Sequence, residues 1–219
     1  GDFRADLGFM PKADFTTSGG GVSREWFPDG RSWYSRLEAW AEVAHEQVAS
    51  TGELLLDQAN IGLTYEGPLQ SHSVIKVFRR RQGYGGRQFD LADLQLHHCM
   101  KPNGHSHVFV NLWWGDQVDY DNVRLGRRLR VQPGVFYNLG RHLSFNLEHL
   151  YERMTVDGGH LYTANISQGA LAYQFSTRTF LRLILQYEHD RFSLSRYDDP
   201  GDLEPEQDDL FAQVLFSYT

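Results

Sequence analysis

The stretch HHCMKPNGHSH holds the densest set of chemistry-bearing side chains in this sequence. In an extended strand His97 and Cys99 share one face, as do His105 and His107, because successive side chains alternate. A hairpin turning near Asn103 would bring the two pairs together. Imidazole nitrogens with a thiolate are ligands for zinc or copper. The plainer alternative is a His-rich rim hairpin in a chain that contains 10 His.

The arginines form a second group. Arg79, Arg80 and Arg81, and Arg127, Arg128 and Arg130, are placed to line a passage and favour anionic solutes, as charged rings do in pores. The favoured reading is pairing with Glu38, Glu42, Glu148, Glu152 and Glu188 inside a hydrated lumen, with further arginines at the rim near charged lipid headgroups. Enzymatic arrangements are weak by comparison. No pair of carboxylates stands out as a glycosidase dyad. Ser167 lies in ISQG, outside a G-x-S-x-G elbow. The GYGG at 83–86 lacks the lysine and the strand-to-helix setting of a phosphate loop. The acidic loop DDPGDLEPEQDD lacks EF-hand spacing, so no catalytic residue and no cofactor is expected.

The elements that must position these residues repeat with a period of two. About ten segments alternate over lengths greater than the five or six residues usual in globular sheets. From Trp33 to about Val48, Leu37, Ala39, Ala41 and Val43 oppose Arg36, Glu38, Glu42 and Glu46. From Leu55 to Glu66, Ala59, Ile61, Leu63 and Tyr65 oppose Gln58, Asn60, Thr64 and Glu66. Ile75 and Val77 oppose Lys76 and Arg80. Val108, Val110, Leu112 and Trp114 oppose His107, Phe109, Asn111 and Trp113. Leu125, Leu129, Val131, Val135 and Tyr137 oppose Arg124, Arg128, Arg130, Gln132 and Asn138. Leu143, Phe145, Leu147 and Tyr151 oppose Ser144, Asn146, Glu148 and Glu152. The last three segments run over Leu161 to Phe175, Phe180 to Arg191, and Leu210 to Tyr218; in the middle one Leu181, Leu183, Leu185 and Tyr187 oppose Arg182, Gln186 and Glu188. Asn103-Gly104 is a tight-turn dipeptide.

Alternation alone fits a soluble sandwich as well as a membrane barrel. Three features favour the membrane. The segments are long enough to cross a bilayer when tilted. Tyr65, Tyr137, Tyr151, Tyr173, Tyr187 and Tyr218 all end the apolar faces at one edge, as a girdle at a membrane rim does. The opposite faces carry charges at mid-strand, which a dry core rejects and a wet lumen accepts. Connections such as LGR and FSTR read as short, and VDYDNV, VDGG and SRYDDPGDLEPEQDD as longer, which assigns the two kinds to opposite rims.

Composition sets the outer limits. The chain has 219 residues and a formal charge of −7, which argues against nucleic acid as a partner. It has no run of about 20 apolar residues for a helical span. The single cysteine, Cys99, rules out an intrachain disulfide framework. The count of 11 Tyr, 14 Phe and 5 Trp suits either a β core or membrane girdles.

Particular words of the sequence resemble a known family: GDFRADLGFMPKADF, LLLDQANIGLTYEGP, RQFDLADL, and above all LYTANISQGALAYQFSTRTFLRLILQYEHDR with DLFAQVLFSYT. They are similar to the C-terminal outer-membrane β-barrel region, a domain of unknown function, of bacterial proteins with an N-terminal domain like family 9 carbohydrate-binding modules. The resemblance spans nearly all of the chain and carries no catalytic motif. It implies a barrel that continues past LFSYT by at least a strand pair, and hence a chain that is part of a longer one. The carbohydrate-binding-like domain has no counterpart among these residues.

The expectation is therefore an all-β, antiparallel transmembrane-type β-barrel of about 10–12 strands, residues 1–219 forming a single domain. Its lumen-lining candidates are Glu38, Glu42, Arg80, Asn111, Arg128, Arg130, Glu148, Arg182, Gln186 and Glu188. Its partners are the outer-membrane lipid bilayer and small polar solutes or saccharides, and its role is that of a membrane anchor or narrow passive channel. The alternatives are a soluble, lectin-like β protein and, behind it, a hydrolase of envelope material.

Overall fold

The structure is a computed structural model and describes residues 14–218. It contains eleven strands: β1 (Phe15–Trp26), β2 (Arg36–Val48), β3 (Leu54–Gly67), β4 (Ser71–Tyr84), β5 (Arg87–Asn103), β6 (Ser106–Asp119), β7 (Arg124–Leu139), β8 (Leu143–Val156), β9 (Gly159–Gln174), β10 (Thr179–Phe192) and β11 (Glu206–Tyr218). All eleven lie in one sheet in chain order, each antiparallel to the next. This is the all-β, ten-to-twelve-strand meander that the alternation implied. No helix among the described residues is long and apolar enough to cross a membrane.

The ring is not closed among the described residues, since β1 pairs only with β2 and β11 only with β10. Ten antiparallel steps leave β1 and β11 running in the same direction. An all-antiparallel closure therefore needs an odd number of further strands between them.

The strands are 12 to 17 residues long. A tilted bilayer-crossing strand needs only about 9–11, so every strand is longer than such a crossing requires. β1 has the least legible sequence, because FTTSGGGVSREW shows no apolar alternation. Its glycines serve close approach instead: a Cβ at Gly19 would stand 2.6 Å from the Val43 carbonyl oxygen of β2.

Solvent exposure is inverted relative to a water-soluble sheet. Along β3, Ile61 is 62% exposed and Leu63 45%, while Asn60 between them is 5% exposed and Thr64 7%. In β4, Ile75, Val77, Arg79 and Arg81 are exposed, and Val74, Lys76, Phe78 and Arg80 are half-buried. The occluded, inner face is thus the polar one and the open face is the apolar one. Among the described residues, buried apolar side chains form two small clusters, Phe89–Leu91–Val118 and Met154–Val156–Leu161. Both sit at one rim, where the connections between β4 and β5, β6 and β7, β8 and β9, and β10 and β11 gather.

Candidate functional site

Residues directly opposed across a ladder point to the same side of the sheet, so the register assigns every side chain to a face. On the inner face one row runs Gly21, Glu42, Asn60, Phe78, Asp93, Gly115, Arg128, Met154 and Tyr162. A neighbouring row includes Trp40, Gly62, Lys76, Gln95, Trp113, Arg130, Glu152, Ala164 and Asp190. Glu38 opposes Thr64, Asn111 opposes His97 and Gln132, Glu148 opposes Gln168, Gln186 opposes Gln168 and Phe211, Glu188 opposes Asp209, and Arg182 opposes Ala172. Arg80 opposes Gln58 and Leu91, two positions from Phe78 on the same side, so all ten lumen-lining candidates share the inner face.

Several are knitted together. Arg36 reaches Glu25 at 2.7 Å, Glu38 at 2.6 Å and Glu66 at 2.9 Å, three carboxylates from three strands on one guanidinium. The Arg80 guanidinium donates to Asp93, whose other oxygen accepts from Gln95 at 3.0 Å. Arg130 stacks over Trp113 at 5.1 Å and lies 3.5 Å from Glu152, which accepts the Tyr162 hydroxyl at 2.6 Å. Glu148 accepts from Asn146 at 2.9 Å and Gln132 at 3.4 Å. Lys76 stands over Trp40 at 5.4 Å. The interior is thus a charged, hydrogen-bonded lining with both signs present. Glu42 has no hydrogen-bond or ion-pair partner among the described residues.

The arginine triplets do not act as blocks. Arg80, Arg128 and Arg130 face inward, whereas Arg79, Arg81 and Arg127 fall on the open face with the period of two. There they belong to a belt of charge at the rim that carries the buried clusters: His45 bonds Asp57 at 2.5 Å, Arg81 bonds Asp90 at 2.8 Å, and Arg191 bonds Glu206 at 3.1 Å. The opposite rim is aromatic. Trp33 stacks on Tyr65 with centroids 5.6 Å apart, Tyr137 meets Phe145 at 5.7 Å, and Tyr173 meets Phe175 at 4.8 Å.

Two details of the sequence reading are corrected. Tyr151 and Tyr187 do not join the other tyrosines at that rim; each stands next to the charged belt, two residues before Arg153 and His189 respectively, so aromatics border the apolar band at both ends. Connection length does not separate the rims either. The VDGG turn is only residues 157–158, and each rim has one long link, 27–35 at the aromatic end and 193–205 at the charged end.

The register also separates the candidate metal ligands. His97 opposes Asn111 and bonds its side chain at 2.6 Å, Cys99 opposes Phe109, His107 opposes Phe136, and His105 lies in the turn. His97 and Cys99 meet neither His105 nor His107 across the ladder. Among the described residues no group of three or more His, Cys, Asp or Glu is arranged to hold a metal ion.

One feature had no sequence signal. The 193–205 loop folds back onto the charged rim, where Arg124 donates to the Arg196 carbonyl, Arg196 donates to the Val156 carbonyl at 3.1 Å, and the Asp198 amide donates to Asn122 at 2.8 Å. Tyr197 packs on the Met154 cluster. Burial, reinforced by Asp119 and Asp121, pushes its phenol up to about 12 from 10.0.

No family model matches the chain, and no curated protein does. A solved structure that is similar is OmpT folded in vitro, an outer membrane protein of Vibrio cholerae. It has a TM-score of 0.49 and 8% identity, over 90% of this chain and 76% of that one.

Proposed function

We propose that this chain is the lipid-facing wall of an outer-membrane β-barrel of a Gram-negative bacterium, whose hydrated inner face serves as a narrow passive channel. The observation that carries the reading is the inverted exposure of the sheet: Ile61 at 62% and Val43 at 60% stand open while Asn60 is 5% exposed. In water an apolar face of this extent is a liability. Against acyl chains it is the stable arrangement, and the aromatic border and the charged belt fall where headgroups begin.

Open strand edges cannot persist in hydrocarbon, because each unpaired backbone group costs several kcal/mol there. β1 and β11 run in the same direction, so an all-antiparallel ring would reach the even total usual in such barrels through an odd number of further strands. A barrel near this size has little free bore, which suits small polar solutes. A saccharide link rests on the resemblance to proteins with a carbohydrate-binding-like domain. Embedding in the bilayer also makes the chain an anchor for any domain attached to it.

The test is extraction and reconstitution of the intact protein. We expect it to require detergent, to migrate faster unheated than boiled on a gel, and to give conductance steps in planar bilayers. A protein that stays monodisperse in buffer without detergent is the lectin-like alternative instead.

A further inference from the structure

Resting on the channel reading, we propose that the inner face of β2 and β3 holds a permeating cation between Glu42 and Asn60, and that the lumen therefore passes cations in preference to anions. Glu42 and Asn60 are directly opposed across the ladder, a relation that sets Cβ atoms about 4.5–5.5 Å apart. A carboxylate and an amide oxygen at that separation can share one ion. Each lacks a partner of its own. Glu42 makes no hydrogen bond or ion pair among the described residues. Asn60 is 5% exposed, and its Oδ1 is buried with no donor.

A buried acceptor without a donor is a group that native structures normally satisfy. A cation supplies what both oxygens lack, whereas an anion meets two electron-rich groups and is repelled. The surroundings enforce the sign. Glu38 lies four positions from Glu42 on the same face, and a recess of about 410 Å³ lined by Gly21, Ser23, Glu38, Trp40 and Glu42 adjoins them. Of the nearby cations, Arg36 is shared among Glu25, Glu38 and Glu66 and Arg80 is paired with Asp93, while Lys76 stands over the Trp40 ring. The glycines of β1 keep the approach open, since Gly21 places no side chain against Glu42.

The experiment measures reversal potentials of the intact protein in planar bilayers under a potassium chloride gradient. Wild type should reverse on the cation-selective side. Glu42→Gln should lower the cation-to-anion permeability ratio by at least about twofold, and Asn60→Asp, which adds a carboxylate without changing shape, should raise it. Heat-modifiable migration of each variant establishes that it has folded, and the Asn60→Asp measurement stands by itself if Glu42→Gln does not fold. Conductance that favours anions, or a ratio unchanged in both variants, overturns this inference and leaves the channel reading intact. Absence of conductance steps overturns the channel reading and this inference with it.

Discussion

Ile61→Arg places a guanidinium at the centre of the open face. Ile61 is the eighth of the 14 residues of β3, lies between Ala41 and Val77 on the neighbouring strands, and is 62% exposed. In water, replacing so exposed a side chain changes stability by no more than about 0.5 kcal/mol. With acyl chains as the solvent, the same arginine at the bilayer midplane costs about 2–4 kcal/mol. At 1.4 kcal/mol per factor of ten, that is about 30-fold to nearly 1,000-fold in the folding equilibrium. Depth provides an internal control, because Leu181→Arg, close to the aromatic rim beside Tyr173 and Phe216, should cost only about 0–1 kcal/mol. Face provides a second, because Gln186→Arg on the inner side meets water. Denaturant unfolding of the protein reconstituted in phospholipid vesicles, followed by tryptophan fluorescence, measures all three. An Ile61→Arg midpoint equal to wild type would refute the assignment of lipid to this face.

Three further perturbations address the interior and the rim. Arg80→Gln leaves Asp93, 8% exposed, with only Gln95 as a side-chain donor, and should lower stability by about 2 kcal/mol, below the 3–5 of a fully dry broken pair; the same denaturant titration reads it. At Gly62 an added Cβ would fall inside the Trp40 indole. Gly62→Ala should therefore displace the ring, cost about 1–3 kcal/mol by overpacking, and shift the Trp40 emission. Tyr197 has its phenol raised in the folded loop to about 12 from 10.0. Its contribution to loop docking is then complete below pH 10 and lost as pH rises to about 12; phenolate absorbance and proteolysis of the 193–205 loop should change together in that window, and Tyr197→Phe should remove the dependence.

The alternation of Leu181, Leu183 and Leu185 against Arg182 and Gln186 is a property of any extended chain, since neighbouring side chains leave a strand on opposite sides. The antiparallel β class, the assignment of the ten lumen candidates to a common face, and the apolar identity of the other face therefore follow from the residues alone. β1 escaped because glycine and serine carry no such signal, their role being close packing on β2. What the tertiary structure decided is non-local. Register is set by turns and by bulges such as the shift between Met100 and Asn103, and a local pattern does not contain it. It kept His107 from His97 and Cys99, and brought three glutamates from three strands onto Arg36. The docking of 193–205 on the rim of β7 to β9 likewise depends on residues more than 70 positions apart, Arg124 with Arg196 and Asn122 with Asp198. Which face is occluded depends on how all the strands curve together, and that curvature put the polar row inside and left the leucines to meet the solvent.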